Sequence, residues 1–201
     1  MKDKFGIYGA SGHAKVIIEM LENNGVDIQG LYDDDPSKKL LLDYRVTHDR
    51  LFLQYEGIKW VIGIGENSVR KKIVENNLLG YGVIIDKTAY VSKRAVIGEG
   101  SVVMPGVSVN STSIIGKHAI VNTNASIDHD CVVEDYVHIS PNAVLCGGVK
   151  IGEGSHVGAG ATIIPGITIG KWCTIGAGSV IIRDVGDSMK VVGNPGRIIN
   201  N

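Results

Sequence analysis

The sequence predicts a small α/β domain followed by a parallel β-helix, and three observations carry that prediction. Short apolar segments alternate with helical ones over residues 1–86. A six-residue aliphatic period then runs from Val91 to Ile181. The composition is poor in aromatic side chains (5%) and rich in glycine, with 27 in 201 residues. Such a core has to be assembled from small and β-branched side chains, and 44% apolar residues suffice for it.

In the first part, "KFGIYG" reads as a strand, "GASGH" as a glycine loop and "AKVIIEMLENNG" as a helix. In that helix Val16, Ile17, Met20 and Leu21 share a face and Gly25 is the stop signal. "DIQGLYDDDP" gives a second strand that closes on three aspartates and a proline. Residues 40–57 yield only a strand and a short helix. "KWVIGIGEN" is a third strand, "SVRKKIVENNLLG" a second helix and "YGVIID" a last strand. Strands alternating with helices predict a small parallel sheet of Rossmann-like type over residues 1–86.

From residue 87 the pattern changes. Every sixth residue from Val91 to Ile181 is Val, Ile or Leu, and the positions two earlier are small or β-branched; Cys131 and Cys173 fall in that second series. Neither an α-helix nor a flat strand has this period. A coil of three short strands does, each strand placing one aliphatic side chain inward before a corner. Residues 89–184 fill a little over five coils, a prism about 25 Å tall at the ~4.8 Å spacing of parallel strands. Glycines directly after the aliphatic residue (Gly98, Gly116, Gly152, Gly170, Gly176) are expected to supply unusual φ/ψ at the corners.

The 20 basic and 21 acidic residues leave a net charge of −1 with no basic stripe, which argues against a nucleic-acid partner. No apolar run reaches the roughly 18 residues of a membrane span. The N-terminus lacks a signal peptide's apolar region, so a cytoplasmic address is expected. Three cysteines without CxxC spacing read as free thiols.

"SIDHDCVVEDYVHIS" (residues 126–140) carries the chemistry. His129 lies two residues after inward Ile127, at a corner where its side chain projects outward, and Asp130 beside it can orient the ring. An imidazole with a pKa near 6.5 suits proton abstraction; a solvated polar corner is the alternative. His138 precedes inward Ile139, and His156 stacks one coil above it, as a ligand wall or an exposed ladder. Gly147 and Gly148 offer backbone N–H groups to a developing oxyanion. In "GASGHA" a strand–loop–helix junction can hold a phosphate on backbone amides. Asp33 and Asp34 end the second strand and Gly65 the third, at the same sheet edge, where carboxylates can accept bonds from a base or ribose.

The hexapeptide period and the closing "VVGNPGRII", similar to a V-x-G-x-P-A-[KR] ending with Gly196 in place of alanine, resemble the hexapeptide-repeat acyltransferases. With "GIYGASGHAKVI" and "LYDDDP" added, the whole chain resembles bacterial sugar acyltransferases that carry a nucleotide-binding domain ahead of the coil: bacillosamine-type N-acetyltransferases and sialic acid O-acetyltransferases.

The resemblance implies a left-handed coil over residues 87–201, acetyl-CoA as co-substrate, no metal, and a trimer with sites between neighbouring prisms. It implies His129 as general base with Asp130 in place of the family's glutamate. It assigns Asn122, His138, Gly147, Ala159 and Ala177 to the acetyl-CoA side, with Lys171, Lys190 or Arg197 for its phosphates, and Ser11, Gly12, His13 and Ala14 to a nucleotide-sugar. The reaction implied is N-acetylation of a nucleotide-linked 4-amino-sugar, UDP-linked by expectation, for surface glycans. O-acetylation of sialic acid is the runner-up and a non-catalytic β-helix a further alternative. A γ-carbonic-anhydrase-type zinc site is disfavoured, because His118, His129, His138 and His156 lack a pair five residues apart.

Overall fold

The computed structural model describes residues 3–199. Strands β1 (Lys4–Tyr8), β2 (Asp27–Tyr32), β3 (Leu40–Leu41), β4 (Tyr44–Thr47) and β5 (Ile58–Ile62) form one sheet in the order β3-β4-β2-β1-β5, parallel except for the β3–β4 pair. Helix α1 (Gly12–Asn23) buries Ala14, Ile17, Ile18, Met20 and Leu21. It ends in a Schellman turn: Gly25 at φ 65° donates to Glu22 O and Val26 N–H to Leu21 O. Helix α2 (Asn67–Asn76) follows the loop after β5.

The last strand expected of this domain belongs elsewhere. Ile84–Ile85 pairs with Val102–Val103 as the first rung of the solenoid, and only Tyr81 keeps a bridge to Trp60 of β5. The N-terminal unit thus ends ahead of Ile84 rather than at residue 86.

The solenoid has three faces. The first stacks Ile84–Ile85, Val102–Val103, Ile120–Val121, His138–Ile139, His156–Val157 and Thr174–Ile175; the second contains Ser108–Val109, Ser126–Ile127 and Val144–Leu145; the third contains Ile114–Ile115, Val132–Val133 and Lys150–Ile151. Rungs are in register at a spacing of 18 residues, for example Ser126 on Ser108 and His156 on His138. The aliphatic series is buried from Val103 onward. Buried serines of the companion series are satisfied between coils: Ser113 donates to Asp128 O and accepts from Cys131 N–H.

The corner glycines work differently from the expectation. The left-handed backbone position lies three residues after the aliphatic residue: every sixth residue from Gly100 to Gly178 has φ between 52° and 75°. Glycines such as Gly98 and Gly152 have no such φ. A Cβ at Gly98 would stand 2.6 Å from the Gly116 carbonyl carbon, and one at Gly152 2.6 Å from that of Gly170. Close approach of successive coils, not backbone conformation, requires glycine there.

The α/β domain covers the first face. Val102 and Ile120 point outward from it, yet each is only 1% exposed. Arg70 of α2 is the clamp: Nε donates to His118 O (2.7 Å), Nη1 to Ile64 O and Gly65 O (3.2 Å each), Nη2 to Tyr136 O (2.8 Å) and Asn67 Oδ1 (2.9 Å). All five guanidinium donors are thereby used. Asn67 adds bonds to Gly154 O and Ser155 O, and Lys71 pairs with Glu153 beside the Tyr136 and Trp172 rings.

Burial at this junction keeps imidazoles neutral. His13 and His118 are lowered to about 4 and His138 to about 3, with desolvation the leading cause in each. A histidine with a depressed folded pKa contributes stability that is complete above its unfolded value, about 6.5, and is lost as pH falls toward the folded value. Melting temperature is therefore expected to decline steadily between about pH 6.5 and pH 4. Replacing His118, whose ring stacks on Tyr136 at 5.4 Å and 9°, with Phe should flatten that slope.

Candidate active site

His129 and Asp130 occupy the edge where the second face turns into the third, and both side chains are exposed. His129 Nδ1 lies 2.8 Å from Asp130 Oδ2, so the shorter acid does close the bond. Asp130 Oδ1 accepts from the Thr112 hydroxyl one coil below. Asp128 Oδ1 receives His129 N–H (2.8 Å) and Asn110 Nδ2 (3.0 Å), which fixes the corner from the other side. The hydrogen bond to Asp130, and then the charge of Asp128, raise the His129 pKa above its ordinary value. With Nδ1 engaged, Nε2 is the nitrogen left to accept a proton.

One coil above, a Cβ on Gly147 would stand 2.7 Å from His129 Cε1 and 2.8 Å from Nε2, so only glycine leaves the ring this position. Two N–H groups were expected to be open here. Gly148 N–H is in fact donated to His129 O at 2.9 Å. Gly147 N–H has no partner among the hydrogen bonds of the described residues.

Asn122 and His138 meet elsewhere, where the first face turns toward the second. Asn122 Oδ1 accepts from Thr123 N–H at 2.8 Å, which turns the amide Nδ2 toward His138 Nε2 at 3.0 Å. Nε2 is then an acceptor and Nδ1 carries the proton. His156 stacks on His138 (4.9 Å, 11°) and its Nε2 bonds the Ser140 hydroxyl. This column faces the α/β domain and is half-buried rather than an exposed ladder. Ala159 and Ala177 are exposed and stacked on the first–second edge, where Gly178 N–H donates to Ala159 O.

In the α/β domain, Gly9 rather than Gly12 is the conformational glycine of the loop: φ is 105°, and a Cβ would strike Ile64 at 2.6 Å. Ser11 begins α1 in extended conformation with no side-chain cap bond, Gly12 stands in open space, and Ala14 is buried. Asp33 Oδ2 takes Ala10 N–H and Lys38 Nζ, both at 2.7 Å, and Oδ1 takes Asp35 N–H; these bonds hold its pKa below the usual carboxylate value against the opposing effect of burial. Asp33 thus ties β2 to the glycine loop. Asp34 stays exposed, its oxygens fixed by the Tyr8 (2.6 Å) and Tyr32 (2.9 Å) hydroxyls.

The structure brings some of these candidates together and keeps others apart. His13 lies 6.3 Å from His138, its Nε2 buried without a partner, and Gly65 is beside the same ring. A cavity of about 350 Å³ opens there between Gly65, Asn67, His138, His156 and Trp172. His129 and Gly147 sit on the edge opposite the face that carries this junction. The coenzyme-phosphate candidates are spread too: Lys171 lies near Glu134 and Glu153, while Lys190 and Arg197 are in the terminal hairpin. Sequence reasoning missed Arg70, because Glu66 four residues earlier makes it look like half of a surface ion pair, and it missed Thr112.

Two family models match: the PglD N-terminal domain over residues 4–77 and the six-repeat bacterial transferase hexapeptide over residues 148–183. Among solved structures, a histidine-to-asparagine mutant of perosamine N-acetyltransferase from Caulobacter crescentus, in complex with CoA and GDP-perosamine, is 37% identical. The match covers 98% of this chain and 97% of that one, with a TM-score of 0.93. The chain belongs to the hexapeptide-repeat sugar acyltransferases with a PglD-type N-terminal domain.

A second member of this family, the acetyltransferase domain of PglB from Neisseria gonorrhoeae, is 36% identical over 98% of this chain and 100% of that one (TM-score 0.91). WeeI from Acinetobacter baumannii is 29% identical over 98% and 100% (TM-score 0.89). Among curated proteins the chain matches an uncharacterized protein of Acanthamoeba polyphaga mimivirus, 32% identical over 93 residues. It spans 18% of that relative's length. As in the family, the coil is left-handed and the protein is an acetyl-CoA-dependent acetyltransferase. No helix of the described residues is long and apolar enough to cross a membrane.

Proposed function

We propose that this acetyltransferase moves the acetyl group of acetyl-CoA to the amine of a nucleotide-linked 4-amino-sugar, with His129 as general base. The observation that carries the reading is the full-length likeness to an enzyme whose structure holds CoA together with GDP-perosamine, joined to a histidine–carboxylate pair with a free Nε2. His129 Nε2 takes the amine proton as nitrogen attacks the thioester carbonyl. The Gly147 N–H receives the charge that forms on oxygen, and coenzyme A leaves as the tetrahedral adduct collapses.

The nucleotide-sugar is held by the loop Ser11–Ala14 together with Asp33, Asp34 and Gly65; Asn122, His138, Ala159 and Ala177 belong to the acetyl-CoA side. The active protein is a homotrimer. In support, His129 faces away from its own glycine loop, so a neighbouring prism must bring the two together, and flat prism faces suit closed threefold packing.

The experiment is thiol release from acetyl-CoA with UDP-, GDP- and dTDP-linked 4-amino-sugars and free sialic acid. Turnover on one nucleotide-linked amine, UDP-linked by our reading, is the expected result. Turnover on sialic acid alone would replace this function with O-acetylation.

A further inference from the structure

Fourteen corner positions of the solenoid, one in every six residues from Gly100 to Gly178, have φ between 52° and 75°. Thirteen are Gly, Asn, Asp, His, Tyr or Trp. The exception is Thr112, at φ 64°. A β-branched residue in the left-handed region is an outlier, because its branched Cβ crowds the backbone there. Such strain persists where something else requires the side chain. Packing does not require this one, since Thr112 is exposed.

Its hydroxyl contacts explain the residue. Thr112 Oγ1 lies 2.5 Å from Asp130 Oδ1 and also against Ser111 O. With one proton to give, the ionised carboxylate is the stronger acceptor. Thr112 and Asp130 stand 18 residues apart, in the same column of corners, so the hydroxyl reaches the carboxylate from directly below. That bond holds Oδ1 and leaves Oδ2 for His129 Nδ1 at 2.8 Å. It is also the leading cause of the lowered Asp130 pKa.

We propose that Thr112 is a positioning residue for acetyl transfer, the third member of a Thr112–Asp130–His129 chain that fixes the tautomer and direction of the imidazole. This rests on His129 being the base. The charged groups facing His129 are Asp130 and Asp128; Gly147 above and Ser111 below carry none. Losing the hydroxyl lets the Asp130 carboxylate rotate. His129 then keeps its Nδ1–H bond for only part of the time, and its pKa moves back toward the ordinary value.

The test compares Thr112→Val, Thr112→Ser and Thr112→Gly with the parent and with His129→Ala. Val keeps the branch and removes the hydroxyl; Gly removes both and suits the backbone. Expected in Val and Gly is a fall in kcat of about 10-fold or more, from a misdirected base, with KM unchanged. The acid limb of kcat/KM should move to lower pH. Ser should restore the parent rate and profile. Gly should also fold at least as stably as the parent, which separates strain relief from chemistry and keeps the test open if Val folds poorly.

Parent-like kcat and pH profile in Gly and Val, with His129→Ala inactive, would overturn the role of Thr112 while leaving the base in place. Full activity in His129→Ala would instead remove the base, and the positioning role with it.

Discussion

Replacing His129 with alanine is expected to lower kcat/KM by about 10²–10⁴-fold, the range that a positioned general base supplies. Stability should barely change, because the side chain is exposed and its bonds are to other exposed groups. In the parent enzyme, kcat/KM should fall as pH drops through the His129 pKa. Its bond to Asp130 and the Asp128 charge place that pKa above the ordinary histidine value; Asp130→Asn should move the acid limb down. Gly147→Ala reaches the same group from above. Its Cβ would meet the ring at 2.7–2.8 Å, and the exposed imidazole would swing off Asp130 rather than distort the coil. A loss on the order of 10- to 100-fold in kcat, with the melting temperature preserved, is the expected pattern. An enzyme that tolerates both changes does not use His129 as its base.

What was legible beforehand follows from how far each signal travels along the chain. The six-residue period is local and repeated, so the inward series from Val91 to Ile181 was readable, although Val91 and Ile97 in the first coil are only half-buried against the core. The reason for Gly98 was not, because it lies 18 residues away in the backbone of Gly116, and only the stacked coils reveal it. Ile84–Ile85 has the composition of a strand in either domain, and pairing with Val102–Val103 decides which. Asp33 and Asp34 are adjacent and chemically identical in sequence. Ala10 N–H and Lys38 bond the first, whereas two tyrosine hydroxyls orient the second. His129–Asp130 was visible because its two members are neighbours; Thr112, which holds Asp130, comes from the previous coil.

Arg70 shows the largest effect expected outside the chemistry. The side chain is 1% exposed, and burial lowers its pKa to about 10, still well above physiological pH, so the guanidinium is charged in the fold. Among the described residues no carboxylate is bonded to it; carbonyls of Ile64, Gly65, His118 and Tyr136, with the Asn67 amide oxygen, take all five donors. Arg70→Ala removes those donors at once, leaving buried carbonyls unpaired and a cavity between the two units. Unpaired carbonyls and a cavity of this kind together cost about 3–5 kcal/mol. For a chain of this size that is a fall of about 6–20 °C in melting temperature. Lysine is not a substitute, since its three donors cannot span carbonyls on both sides. Because Ile64 and Gly65 belong to the loop beside His138, the damage should be anisotropic. Hydrogen exchange is expected to accelerate in α2 and the residue 63–66 loop, while the amides of the central coils, which pair rung to rung without Arg70, keep their protection. Activity should then fall through a raised KM for the nucleotide-sugar, as the loop carrying Gly65 loses its fixed distance to the solenoid. Uniform acceleration across all coils would mean that the two units unfold as one.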